Sequence, residues 1–93
     1  MSNRLPYIWD YDIDEDLFLE ILAGRAVAGR LDRSWAAVRL LEYGPYREII
    51  RLIGYSELVR NWPKWRRHVR STSRVRGFDF IAEWIPRHHP DLI

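Results

Sequence analysis

The sequence contains no cysteine, and its apolar residues never form a long uninterrupted run. The missing thiols exclude disulfide bonds and thiolate metal sites, and they fit a reducing compartment. No stretch approaches the roughly 20 apolar residues that a membrane-spanning helix needs. Residues 1–9 lack the apolar core of a signal peptide. We therefore expect a cytoplasmic protein with no membrane association.

Motifs that carry catalysis or ligand binding are also missing. The chain has no glycine-rich phosphate loop and no nucleophile elbow. The acidic segment 10–16 is spaced like a calcium loop, but Glu15 or Leu17 stands where such a loop needs glycine. His88 and His89 are adjacent and cannot share one helix face as a pair of metal ligands would. We expect no enzymatic activity, no cofactor and no metal.

Aromatic residues, by contrast, are plentiful for a chain of 93 residues. A domain of this length buries only about 60–65% of its unfolded surface. Five Trp, five Tyr and three Phe offset this, because each large aromatic side chain can bury roughly 150–250 Å². We predict a single domain over residues 1–93, with an extended arm at 1–13 and a tail at 86–93.

The spacing of apolar residues predicts an all-α fold, a compact bundle of about five short helices. Alternating aromatic residues at Tyr7, Trp9 and Tyr11 are typical instead of an extended segment, the N-terminal arm. Asp14 and Asp32 are predicted to cap the first two helices. The first three helices are each predicted to end at a glycine, namely Gly24, Gly44 (followed by Pro45) and Gly54.

The second half of the chain is predicted to consist of shorter helical segments. A helical turn is expected over 56–60, and Asn61-Trp62-Pro63 is expected to begin a separate helix. The polar run 71–73 is typical of a loop. The last helix is predicted from about Phe78 to Ile85, ending before Pro86.

Charge is distributed unevenly along the chain. Residues 60–76 contain seven basic residues and no acid: Arg60, Lys64, Arg66, Arg67, Arg70, Arg74 and Arg76. Guanidinium groups bind phosphates bidentately, and Trp62 or Trp65 could stack on bases, although helical spacing with Val69 favours packing in the core. This pattern is compatible with DNA or RNA binding, and equally with a solvated surface or with ion pairs inside the fold.

A helix-turn-helix is a second candidate for nucleic-acid binding. Residues 34–53 could form two helices around Gly44-Pro45, with the second as the reading helix. Its exposed side would offer only Arg47, Glu48 and Arg51, which is a poor set for contacting base edges.

The last predicted helix is apolar on two sides. Phe78, Ile81, Ala82 and Ile85 form one face, and Phe80 with Trp84 forms a second. A helix of this kind either is buried or contacts two surfaces. Either a protein partner or the aromatic arm at Tyr7, Trp9 and Tyr11 could cover the second face. For a protein partner the predicted contacts are Phe80, Trp84, Arg67 and Arg70, and a homodimer is compatible with the same face.

Several short motifs resemble a family of small bacterial proteins of unknown function that open with a Trp-Asp motif. The motifs are Trp9-Asp10-Tyr11-Asp12, Trp35, Leu41-Glu42-Tyr43-Gly44, Glu48-Ile49-Ile50 and Trp62-Pro63-Lys64-Trp65. The likeness covers roughly residues 5–70 and does not extend to the segment 76–80 or the tail.

Members of that family are often encoded beside an abortive-infection-type nucleotidyltransferase toxin. The resemblance therefore implies an antitoxin-like protein that binds and restrains such an enzyme. The resemblance implies no catalytic residue in this chain. A nucleic-acid-binding regulatory protein that uses the basic segment 60–76 remains the alternative.

Overall fold

The computed structural model describes residues 13–93, and within that range the chain is all-α, as its apolar spacing predicts. The five α-helices are α1 (Glu15–Leu22), α2 (Arg33–Tyr43), α3 (Tyr46–Leu52), α4 (Tyr55–Trp65) and α5 (Thr72–His88), with short 3₁₀-helices at Arg66–His68 and Pro90–Leu92. The predicted arm lies outside the described residues, apart from Ile13, which is buried. The chain divides into two compact units, of which the first ends at Gly44 and the second begins at Pro45.

The first unit holds α1 and α2, which pack against each other. Asp14 caps α1 by accepting a hydrogen bond from the Leu17 backbone N–H at 2.8 Å, and Asp32 caps α2 in the same way, as the sequence predicts. Gly24 follows α1 with a φ of +81°, a left-handed conformation that glycine adopts without steric cost.

The second unit holds α3, α4 and α5, and its core lies mainly between α4 and α5. Its buried side chains come from α3, α4 and α5 and from the segment between α4 and α5, namely Ile49, Leu58, Trp62, Trp65, Val69, Phe78 and Ile85. At the start of α3, the hydroxyls of Tyr46 and Tyr55 lie 3.0 Å apart and share a hydrogen bond, which ties α3 to the first turn of α4.

The predicted break between two helices near Asn61 is wrong. Residues 55–65 form one continuous helix with Pro63 inside its last turn. Proline removes one backbone donor and crowds the preceding turn. Leu58, Trp62 and Trp65 are all buried along one side of α4, so their packing holds the two turns together in spite of the proline.

The predicted bounds of the last helix are also wrong at both ends. Ser71 accepts a hydrogen bond from the Arg74 backbone N–H at 3.4 Å, so the serine and threonine run opens α5 where a loop was predicted. At the other end α5 continues through Pro86 to His88. The helix is therefore 17 residues long. It includes the last two residues of the predicted loop and the first three residues of the predicted tail.

Candidate protein-interaction surface

An exposed row of rings follows one side of α5. Phe80 is 63% exposed, and its ring stacks on that of half-buried Trp84, with centroids 6.3 Å apart and an interplanar angle of 23°. Trp84 in turn stacks on His88, at 4.6 Å and 25°. The three residues are spaced four apart, which places them one above another on a helix. We call this row the aromatic stripe.

A shallow groove of about 170 Å³ lies beside the aromatic stripe. Its walls are the three rings together with Glu83 and Arg87. The Arg87 guanidinium lies 3.2 Å from the Glu83 carboxylate, and both side chains are mostly exposed. Such an ion pair contributes little to stability, so these charges can be used by a partner. Apolar rings with a charged margin are typical of protein interfaces.

A second groove of about 190 Å³ lies where α5 passes α3. Its lining is mostly apolar and comes from both helices, namely Tyr46, Ile49, Arg74, Gly77, Phe78 and Ile81. Desolvation of the hydroxyl and its hydrogen bond to Tyr55 raise the pKa of Tyr46 to about 12. Tyr46 therefore stays neutral near pH 7, and Arg74 is the cationic side chain among those that line the groove.

Trp62 and Trp65 do not form a surface for base stacking. They are 3% and 1% exposed, which confirms the prediction that helical spacing with Val69 places them in the core. The Trp62 indole N–H donates to the Asp79 carboxylate at 2.7 Å. The rings are therefore inaccessible to a nucleic acid, and this part of the nucleic-acid hypothesis is wrong.

Asp79 joins α4 and α5 through two partners. Besides Trp62, it accepts two hydrogen bonds from the Arg66 guanidinium, at 2.7 and 3.0 Å. The hydrogen bonds from Arg66 and Trp62 hold the pKa of the Asp79 carboxyl below its usual range. Sequence reasoning missed this residue, because an acid on a helix gives no sign of partners 13 and 17 residues away.

The basic residues of segment 60–76 all lie in the second unit. Most are exposed, whereas Arg74 is half-buried against the second groove. Among those with an acidic partner on the protein, Arg66 binds Asp79 and Arg60 lies 3.6 Å from the Glu57 carboxylate. The segment is thus a largely exposed cationic surface, and part of its charge is already balanced within the fold.

The four predicted protein contacts fall in two places. Phe80 and Trp84 lie together on α5, one turn apart. Arg67 lies on the 3₁₀-helix Arg66–His68 and Arg70 precedes α5. Phe80 is eight residues beyond the start of α5, or about 12 Å along the helix axis. His88 belongs to the stripe although its sequence position predicted a tail; its spacing of four from Trp84 was the available signal.

The predicted reading helix offers few groups for contacting bases. Arg51 on α3 binds the Glu48 carboxylate through two hydrogen bonds, at 2.7 and 2.9 Å. Those bonds lower the pKa of Glu48 and keep its carboxylate charged. Two of the three predicted base-contacting side chains are therefore occupied with each other.

Residues 13–93 lack the features of two other kinds of site. No group of three or more His, Asp or Glu side chains in this range is placed to hold a metal ion. None of the helices in the described part of the chain is both long and apolar enough to cross a membrane.

No protein-family model, curated protein or solved structure matches this chain. The choice between functions therefore depends on the surface itself and on the motif resemblance.

Proposed function

We propose that this chain is a non-catalytic, antitoxin-like module that binds a partner protein through the aromatic stripe of α5. The observation that carries this proposal is the 63% exposure of Phe80, stacked on Trp84 beside a groove. Large apolar side chains exposed together mark interaction sites more often than scattered single ones do. Trp and Arg are also the residue types enriched among those that dominate binding energy.

The proposed partner is a nucleotidyltransferase-type toxin. This identity is supported by the Trp-Asp and Trp-Pro-Lys-Trp motifs, which resemble those of small proteins encoded beside such enzymes. The second unit carries ten basic and five acidic residues. Its net charge of +5 suits the acidic metal-binding cleft of such an enzyme, where Arg67 and Arg70 would contact carboxylates.

The test is co-expression of the tagged chain with a nucleotidyltransferase of the abortive-infection type, followed by capture in the presence of nuclease. We expect a stoichiometric complex and relief of the toxin's growth arrest. Phe80→Ala with Trp84→Ala should weaken the complex by about 100-fold or more, because each ring would act as a binding hot spot. Growth arrest should then return.

The matched control is Tyr43→Ala, which removes an aromatic ring that is 46% exposed but lies in the first unit. It should leave both the complex and growth unchanged. Circular dichroism of all variants checks that the helices remain. A complex that survives the double substitution would show that the aromatic stripe is not the interface, and no complex with the wild-type chain would refute the toxin as partner.

Nucleic-acid binding through segment 60–76 is the second candidate, and the excess of exposed arginine favours it. Binding would be electrostatic, since Trp62 and Trp65 are buried. Affinity for single- and double-stranded probes should then fall steeply with salt, as counterion release requires. Arg67→Glu with Arg70→Glu should abolish it, whereas Phe80→Ala should have no effect. Absence of binding at about 50 mM salt would exclude this function.

A further inference from the structure

Gly77 is an unusual residue for its position in α5. It lies in the interior of a 17-residue helix and is exposed. A β-carbon added there would meet no atom within 4 Å. Glycine in a helix interior costs stability relative to alanine, and nothing in the second unit requires it. A glycine on a helix surface allows another helix to approach its backbone closely.

The residues around Gly77 are arranged as a self-complementary set about Phe80. Gly77 lies three residues before Phe80, and Trp84 lies four residues after it. Arg76 lies four residues before Phe80, and Glu83 lies three residues after it. An antiparallel copy of α5, related by a twofold axis at Phe80, brings a large ring over a glycine and a cation to an anion. Twofold interfaces have this reciprocal form, in which each contact occurs twice.

Helical geometry puts the members of each pair on matching sides. Seven residues make nearly two full turns, so Arg76 and Glu83 share one flank of α5, and Gly77 and Trp84 share the strip beside it. In an antiparallel twofold pair, each flank faces the same flank of the other helix. The charges of Arg76 and Glu83 therefore meet with opposite signs, and both side chains are exposed.

We infer that the free chain forms a twofold homodimer through α5. Phe80 packs on Phe80 of the second copy, Trp84 covers Gly77 of the second copy, and two Arg76–Glu83 ion pairs close one flank. The apolar groove that Gly77 lines, about 190 Å³, lies beside the position that the incoming indole takes. This inference does not depend on a toxin. The aromatic stripe holds one occupant at a time, so the second copy and a toxin exclude each other.

The experiment is sedimentation equilibrium of the wild-type chain alone from micromolar concentration to about 1 mM, the weak end of specific association. We expect a monomer–dimer equilibrium within that range. Arg76→Glu and Glu83→Arg, made singly, should each raise the dimer Kd by at least about tenfold, because two like-charged pairs replace two ion pairs. The combined R76E/E83R variant should regain the wild-type Kd.

Mixing the two single variants gives the sharpest outcome. In a heterodimer of the two variants, each position 76 again faces an opposite charge at position 83 of the other copy, and in one of the two pairs the signs are exchanged. Heterodimers should therefore dominate in native mass spectra. Gly77→Ala supplies a second readout, because it should weaken the dimer while raising the stability of the monomer. A wild-type chain that stays monomeric, or charge variants that neither dissociate nor recombine, would overturn the homodimer and leave toxin binding through Phe80 and Trp84 intact.

Discussion

Two pairs of aromatic residues in the second unit have similar helical spacing and opposite surroundings. Trp62 and Trp65 on α4 are almost completely buried, whereas Phe80 on α5 is 63% exposed and Trp84 is half-buried. Both pairs lie on helices that also carry basic residues. The two pairs differ in what they contact. Trp62 packs against Phe78 of α5, with ring centroids 5.3 Å apart, and donates a hydrogen bond to Asp79. The ring of Phe80 instead stacks on Trp84 of the same helix.

This contrast shows that aromatic spacing locates a face and does not decide whether that face is covered. The α4 pair stabilises the fold because α5 packs over it. The α5 pair leaves apolar area for another molecule. The two regions also differ in the surroundings of their arginines. Arg66 is bound by Asp79, whereas Arg76 is exposed beside the aromatic stripe.

The largest expected effect comes from replacing one ring of each pair with alanine. Trp65→Ala should lower the free energy of unfolding by about 3–5 kcal/mol, because it leaves a cavity in the core. Phe80→Ala should change it by no more than about 0.5 kcal/mol, as exposed positions usually do. Urea denaturation of both variants measures the difference. Equal losses would place Phe80 in the core and remove the proposed interface.

A smaller loss is expected at the link between the two helices. Asp79→Ala leaves the Trp62 indole N–H without its acceptor inside the protein, which should cost about 1–3 kcal/mol. The ion pair to Arg66 should add little to this loss, because it is exposed and screened by solvent. Asp79→Asn is the control, because its amide oxygen can still accept from Trp62 and most stability should remain. If both variants are as stable as the wild type, Asp79 does not hold α4 to α5.

Replacement of Gly77 should have the opposite sign. Gly77→Ala is expected to raise the free energy of unfolding by roughly 0.5–1 kcal/mol, since the residue is helical and the added methyl group meets open space. Thermal unfolding at low micromolar concentration checks this in the monomer. A destabilised variant would show that the backbone at Gly77 is already closely packed.

The smallest effect is a dependence of stability on pH in the acidic range. The folded-state pKa of Asp79 is lowered, so its stabilisation is fully present above the unfolded carboxyl pKa of roughly 4. It is lost as pH falls through the lower folded pKa. The difference in melting temperature between wild type and Asp79→Asn should therefore narrow as the pH falls below about 4. A difference that stays constant with pH would contradict the pairing with Arg66.

Much of the helical framework could be predicted from the sequence, because local signals define helix ends. Asp14 and Asp32 cap the helices that follow them, and Gly54 adopts a φ of +84° at the predicted stop. The signals failed where packing outweighed them. Pro63 and Pro86 both lie inside helices, since buried Trp65 and Ile85 hold those turns in place.

The candidate surface was predictable only in part. The spacing of Phe80 and Trp84 indicated a second apolar face, and that of Trp62 and Trp65 a core stripe. The extension of the stripe to His88 required the helix to pass Pro86, which local rules argued against. The residues Tyr7, Trp9 and Tyr11, predicted as the alternative cover for this face, lie outside the described range.

The sequence by itself determined the helical class, most helix starts and the concentration of positive charge after residue 45. These follow from interactions between residues close in the chain, which caps, glycines and apolar spacing encode directly. Tertiary structure alone decided that the Trp62 indole donates to Asp79 and that Phe80 is exposed. Those outcomes depend on which helices meet, and contacts between distant residues leave no local mark in the sequence.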